Sequence, residues 1–188
     1  HMGRPEGNFT SKLSLFVVAK RLRELLGRDV DFVPECTGDR VAKTKHALQP
    51  GQVVMFENLR FDGREEQNDA TFASELAAGM DVFVQDGFAV SYRRHASTDA
   101  ITKILPSVAG LLLEKEMSML DAVFSAENGP KIAIISGLSV HDKLPLIERA
   151  LVGADAVALG GLLADVCLNA IGARTGKSRV DSAALPLP

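Results

Sequence analysis

Short apolar runs alternate with amphipathic stretches along almost the whole chain, and that alternation limits the fold more than any other feature. Between Leu13 and Leu26, the residues Leu15, Val18, Ala19, Leu22, Leu25 and Leu26 recur at spacings of three and four. This spacing predicts a helix with one apolar face, and Gly27 stands where such a helix is commonly closed. Val30–Val33 then reads as a strand, 39–48 as a helix and 52–56 as a strand rich in β-branched and large apolar residues. Asn68-Asp69 precedes a helix over 71–78, and 81–84 reads as a further strand. Strand and helix taking turns in this way predicts an α/β fold with parallel strands joined by helical crossovers. The continuous apolar character of the strands predicts burial on both faces.

A long helical pattern follows over 106–124, carried by Val108, Leu111, Leu112, Met117, Leu120 and Val123. Glu127-Asn128-Gly129-Pro130 breaks it. The alternation then resumes with a strand over 131–135, a helix over 143–152, a strand over 156–159, Gly160-Gly161 and a helix over 162–171. The expected fold is therefore α/β, with two parallel doubly wound (Rossmann-like) blocks joined by a long helix. Its parts are a partial first domain (3–105), an interdomain helix (106–127) and the start of a second domain (131–188). Both blocks are expected to be incomplete. The second shows about two strands where a doubly wound sheet needs at least about four. The first lacks an opening strand before Gly3, and His1-Met2 reads as a cloning remnant.

Composition narrows the function by exclusion. The chain is 46% hydrophobic and 24% charged, ordinary values for a globular protein, and its net charge of −3 offers no general attraction for nucleic acid or membrane surfaces. No apolar run reaches the roughly 18 residues of a membrane span. Cys36 and Cys167 are far apart and match no metal-binding spacing, which reads as two reduced thiols in a cytoplasmic protein.

Chemistry is suggested by where the basic residues fall. Arg4 lies in the turn Gly3-Arg4-Pro5-Glu6-Gly7. Arg60 follows the strand 52–56, and Arg93, Arg94 and His95 follow the strand 81–84. In a parallel sheet the carboxyl ends of the strands share one edge, where ligands bind. The planar guanidinium fork suits carboxylate and phosphate, so arginines gathered at that edge would make a site for a small phosphorylated acid. The competing reading is that they are solvated surface charges.

Three stretches carry a family resemblance. Gly3-Arg4-Pro5-Glu6-Gly7, Glu57-Asn58-Leu59-Arg60-Phe61 and Arg93-Arg94-His95-Ala96-Ser97-Thr98 resemble the GRPxG, ENLRF and HRAHAS motifs of phosphoglycerate kinases, in order and separation. Leu105–Gly110 with Leu113–Glu116, Val140-His141-Asp142-Lys143 and Gly176-Lys177-Ser178 resemble further segments of that family. The resemblance runs from Gly3 to about Asp181. It implies phosphoryl transfer between 1,3-bisphosphoglycerate and ADP, a glycolytic reaction with ATP/ADP and Mg2+ as cofactors. By the same resemblance Arg4, Arg60, Arg93 and His95 bind 3-phosphoglycerate or 1,3-bisphosphoglycerate. Gly137, Lys143, Gly160 and Gly161 meet the nucleotide. The Mg2+ site is expected outside this chain, and domain closure is expected to exclude water.

Three departures bear on activity. Ser139 stands where the family has a lysine facing the transferred phosphoryl group, Tyr92 replaces a histidine of the basic site, and Leu162 replaces a glycine. No residue is assigned as catalytic with certainty. This chain alone is expected to be inactive. The alternative is a non-catalytic relative acting as an anion-binding or protein-interaction module. Self-association through open strand edges is a further expectation.

Overall fold

In a computed structural model, residues 1–125, 129–138, 140 and 143–178 are described. The chain divides into two compact units, His1–Met119 and Leu120–Pro188.

In the first unit, α1 (Phe16–Leu26) ends at Gly27, whose φ of 62° is the left-handed closure expected there. The predicted start at Leu13 is instead a 3-10 turn, Ser11–Leu13, and α1 begins after Leu15. The start is set by a distant carboxylate. Glu57 accepts hydrogen bonds from Ser14 Oγ at 2.6 Å, Leu15 N at 2.8 Å and Asn58 N at 2.7 Å. It thus satisfies Leu15 N, a donor that the helix start leaves unpaired, and holds Ser14 Oγ, which accepts from Phe16 N at 3.2 Å. β1 (Asp31–Val33) and β2 (Val54–Phe56) pair in parallel, with Phe32 opposite Met55, and α2 (Asp39–Ala47) lies between them in the chain.

After β2 come a 3-10 turn, Leu59–Phe61, then α3 (Gly63–Glu66) and α4 (Ala70–Ala77). Asp62 and Asp69 cap these helices by accepting from Arg64 N and Phe72 N. Lys45 of α2 reaches the far end of α4, donating to the carbonyls of Leu76 at 2.7 Å and Ala78 at 3.1 Å. β3 (Phe83–Gln85) pairs in parallel with β4 (Ser107–Ala109). The span between them contains no α-helix, so a loop forms the crossover. β4 corrects the sequence reading, which placed Val108 in a helix. Ser107–Ala109 is extended and joins β3, and α5 (Leu111–Ser125) begins only after Gly110. Asp86 fixes that start, its Oδ1 accepting from Leu112 N at 2.7 Å and Leu113 N at 3.1 Å.

The core of this unit gathers Phe72, Ala73, Ala77, Ala96, Ala100 and Ile101. The sheets do not merge. Among the described residues β1–β2 and β3–β4 remain separate pairs, and Val54, Met55, Phe56 and Phe83 line a common cavity of about 380 Å³. The edges of β2 and β3 are therefore unpaired and border an apolar hollow.

In the second unit, β5 (Ile132–Ser136) and β6 (Ala156–Gly160) pair in parallel with Ser136 opposite Gly160. α6 (Leu144–Gly153) connects them and α7 (Gly161–Ala170) follows directly. Ile135, Val140, Ala150, Leu163 and Val166 form its core. Burial of the strands on both faces, the sequence expectation, does not hold. Ile135 is 7% exposed, but Ile134 is 79% exposed and all of β4 is open. Successive strand residues point to opposite faces. In β5 one face packs on the core and the other is uncovered among the described residues.

Candidate functional site

The three arginine-bearing segments of the first unit are tied together around Arg60. Gly7 N donates to the Arg60 carbonyl at 3.2 Å. Asn58, fully buried, donates from Nδ2 to the carbonyls of Met2 at 2.8 Å and Leu13 at 2.9 Å. The 3–7 turn thus lies against the turn that carries Arg60. Within it Gly7 is constrained twice. Its φ is 78°, and a Cβ there would come within 3.2 Å of the Gly63 backbone. From the other side, Ala96 N donates to the Glu65 carbonyl at 2.9 Å and Ala96 is itself in the core.

Arg60 is only 2% exposed. Its Nη1 pairs with Glu66 Oε1 at 3.1 Å, while Nε and Nη2 are buried with no hydrogen-bond partner among the described residues. Arg93 Nε is in the same condition, and the Arg93 guanidinium lies 4.9 Å from the Tyr92 ring centroid, a cation–π arrangement. His95 is half-buried and feels both arginines. Burial is the main cause that lowers its pKa. Arg60 and Arg93 push the same way, while Glu65 and Glu66 oppose. Thr98 fastens the turn, its Oγ1 accepting from His95 N at 3.2 Å and donating to the Arg93 carbonyl at 2.8 Å. The structure therefore brings Arg60, Arg93 and His95 together. Arg4 sits on the neighbouring turn, exposed, and its side chain makes no hydrogen bond or ion pair among the described residues.

In the second unit, the four residues expected to meet a nucleotide converge at the carboxyl ends of β5 and β6. Gly137 follows β5 with φ 149°, and a Cβ on it would lie 2.5 Å from Lys143 Cε. The Lys143 stem thus crosses over Gly137. Gly161, with φ 60°, opens α7, and a Cβ there would come within 3.0 Å of Ser136 Oγ and 3.4 Å of Gly137 N. Gly160 has ordinary extended geometry, with φ −137°, and needs glycine only for its close approach to Ser136. This is a cradle that side chains would fill, beside a lysine and a helix N-terminus, and it suits phosphate. Leu162 does not intrude on it. Where the resemblance has a glycine, the Leu162 side chain packs against the core of the unit. Ser139, His141 and Asp142 lie outside the described residues.

Sequence reasoning missed the buried carboxylates. Glu57 and Glu65 are each 4% exposed and organise both arginine turns. Glu57 opens the quoted Glu57–Phe61 motif, which was the available signal. Nothing in the string Arg64-Glu65-Glu66-Gln67 separates Glu65 from a solvated acid. Cys36 belongs to the same neighbourhood. Its thiol approaches the Glu57 carbonyl at 3.1 Å and its pKa is pushed up to about 12, chiefly by burial and then by Glu57, Asp62 and Glu65.

The family model for phosphoglycerate kinase matches residues 1–187. A phosphoglycerate kinase of Thermomicrobium roseum is 44% identical over 186 residues, covering 99% of this chain and 47% of that protein. One from Geotalea uraniireducens is 46% identical over 182 residues, covering 96% and 46%. Among solved structures, the phosphoglycerate kinase of Pyrococcus horikoshii OT3 superposes with a TM-score of 0.75 at 30% identity, covering 86% of this chain and 42% of that one. That of Coxiella burnetii gives 0.72 at 32% identity, covering 97% and 46%. The chain spans about half the length of the curated relatives it matches.

Proposed function

The chain belongs to the phosphoglycerate kinase family, and on that premise we propose that it supplies two parts of a kinase working between 1,3-bisphosphoglycerate and ADP. The first unit binds the phosphorylated three-carbon acid through Arg4, Arg60, Arg93 and His95. The second begins the nucleotide site through Gly137, Lys143, Gly160 and Gly161. In domain terms, the partial substrate domain runs from residue 3 through β4, α5 (Leu111–Ser125) rather than the whole of 106–127 is the interdomain helix, and 131–188 is the opening of the nucleotide domain. Ser107–Ala109 adds a strand to the first block. The setting is the cytoplasm, and no helix among the described residues is long and apolar enough to cross a membrane.

The carrying observation is the state of Arg60. A buried guanidinium with two unpartnered nitrogens is costly, at about 1–3 kcal/mol for each unmet donor. Arg93 Nε adds a third beside the same half-buried histidine. A ligand with a carboxylate and a phosphate supplies the acceptors these groups lack. Side chains perform the rest by position. Arginine holds anionic oxygens in a fixed plane, and Lys143 places a charge over the glycine cradle. ATP or ADP, with Mg2+, supplies or receives the phosphoryl group when bound. Reactions of this kind are accelerated mainly by positioning and charge neutralisation.

Calorimetric titration of the chain with 3-phosphoglycerate tests the assignment. Binding is expected to weaken about tenfold or more in Arg60→Ala and to be unaltered in Lys143→Ala. Equal losses in both would count against it. In a coupled assay the chain alone is expected to show no turnover, and Mg2+-dependent ATP formation on the order of 10 per second would contradict that. Self-association through the edges of β2 and β3 is the accompanying expectation, and a monomer in sedimentation would exclude it.

A further inference from the structure

Glu65 is the most heavily committed buried acid near the arginines, and both of its carboxylate oxygens point to one residue. Oε1 accepts from Ser97 Oγ at 2.5 Å and Oε2 from Ser97 N at 3.0 Å. Its main-chain carbonyl accepts from Ala96 N at 2.9 Å. Three hydrogen bonds therefore run from Ala96-Ser97 to a single residue. Glu65 lies on α3, which begins three residues after Arg60, and its neighbour Glu66 pairs with Arg60. On the other side, Ala96-Ser97 directly follows His95 and lies within the turn that Thr98 closes onto Arg93.

We propose that Glu65 is a positioning residue that sets Arg93 and His95 beside Arg60. The inference rests on the substrate-binding reading above and assigns one residue responsibility for its geometry. Glu65 is not placed to act on a ligand itself, because both oxygens are engaged by Ser97 and the side chain is 4% exposed. An apolar residue would fill the same space. The carboxylate adds direction, since two donors converging from one residue fix that residue's orientation. It adds charge as well, placing a negative group beside the two arginines and the histidine. Glutamine would keep the shape and can keep both bonds, its amide oxygen accepting from Ser97 N and its amide nitrogen donating to Ser97 Oγ, but it would lose the charge.

The test uses the full chain carrying Glu65→Ala, Glu65→Gln or Ser97→Ala. Asp69→Ala serves as control, because it removes the cap of α4 in the same unit without touching the arginine turns. Glu65→Ala is expected to weaken 3-phosphoglycerate binding about tenfold or more, with smaller losses in Glu65→Gln and Ser97→Ala. ADP affinity should not change. The His95 imidazole, followed by NMR without ligand, should titrate at lower pH in Glu65→Ala, because an opposing negative charge has gone. Asp69→Ala should melt earlier yet bind 3-phosphoglycerate as the parent does. Parent-like binding by Glu65→Ala, or a loss matched by Asp69→Ala, would overturn the proposal. Should the parent chain fail to bind 3-phosphoglycerate, the functional reading falls by itself. The His95 titration in Ser97→Ala, which keeps the Glu65 charge but cuts its tie to the turn, then decides this inference, a shift supporting it and no shift ending it. Should Glu65→Ala fail to fold, Glu65→Gln and Ser97→Ala decide by the same criteria.

Discussion

Arg60 and Glu66 form an ion pair of 3.1 Å between a guanidinium that is 2% exposed and a carboxylate that is 38% exposed. The pair is lopsided. The arginine is locked in the interior, while the glutamate stands at the surface and can turn to water. Glu66 therefore competes with an incoming anion for one nitrogen and leaves Nε and Nη2 to it.

Glu66→Gln should consequently bind 3-phosphoglycerate more tightly, by about two- to fivefold, the range that a partly exposed ion pair of ~0.5–1 kcal/mol represents. The variant should also melt somewhat earlier without ligand, because Arg60 has lost its counter-charge. Calorimetry at low ionic strength measures the first effect. An affinity that falls would mean that Glu66 helps to bind rather than competes.

His95 gives a pH dependence of known sign. Its folded pKa is below the ordinary 6.5, first through burial and then through Arg60 and Arg93. As pH falls below about 6.5, the unfolded chain takes up a proton before the folded chain does. Stability contributed by this residue is full above that value and lost as pH falls through the folded pKa. His95→Gln should flatten the acid side of the stability profile. Chemical denaturation across pH 5–7.5 checks it, and parallel profiles for the two proteins would refute it.

Gly137→Ala should cost the second unit more than Gly160→Ala. Alanine at Gly137 must accept φ 149° and displace the Lys143 stem, whereas alanine at Gly160 keeps an ordinary backbone and meets only Ser136 Oγ at 3.2 Å. A stability loss of about 1–3 kcal/mol is expected for Gly137→Ala, together with an ADP affinity lowered about tenfold as Lys143 moves. Titration of both variants with ADP distinguishes them, and equal behaviour would contradict the crossing of Lys143 over Gly137.

Glu57→Ala removes the acceptor for three donors at once and should destabilise the chain by about 2–4 kcal/mol. Glu57→Gln keeps acceptor capacity and should lose less. Urea denaturation followed by circular dichroism measures both. A loss within ~0.5 kcal/mol for the alanine variant would show that α1 does not depend on this cap.

Much of this was readable from residue order. The periodic run ending at Leu26-Gly27 gave a helix and its closure. The placing of Arg60 and Arg93 after strands put them where parallel sheets bind ligands. Other parts were hidden for physical reasons. Val108 fits a helical period by spacing alone, yet hydrogen bonding to β3 makes it a strand, and a single sequence does not show which partner is near. Ile132 and Ile134 read as core because they are apolar, but only alternate residues of β5 meet α6 and α7. Glu65 has the composition of a surface acid, and its burial follows from where Ala96-Ser97 arrives from more than thirty residues away.

The crossover from Asp86 to Ala96 is tied at both ends, by Asp86 on the start of α5 and by Ala96 in the core and on Glu65. Its length is thereby a functional quantity. Removing one residue would have to pull Asp86 from α5 or lift Ala96 from the interior, and either would drag His95 with it. An added residue near Ala89 or Ser91, both exposed, can bulge into solvent and leave the anchors alone. Working versions of this segment should therefore vary in one direction only: longer is tolerated, shorter is not.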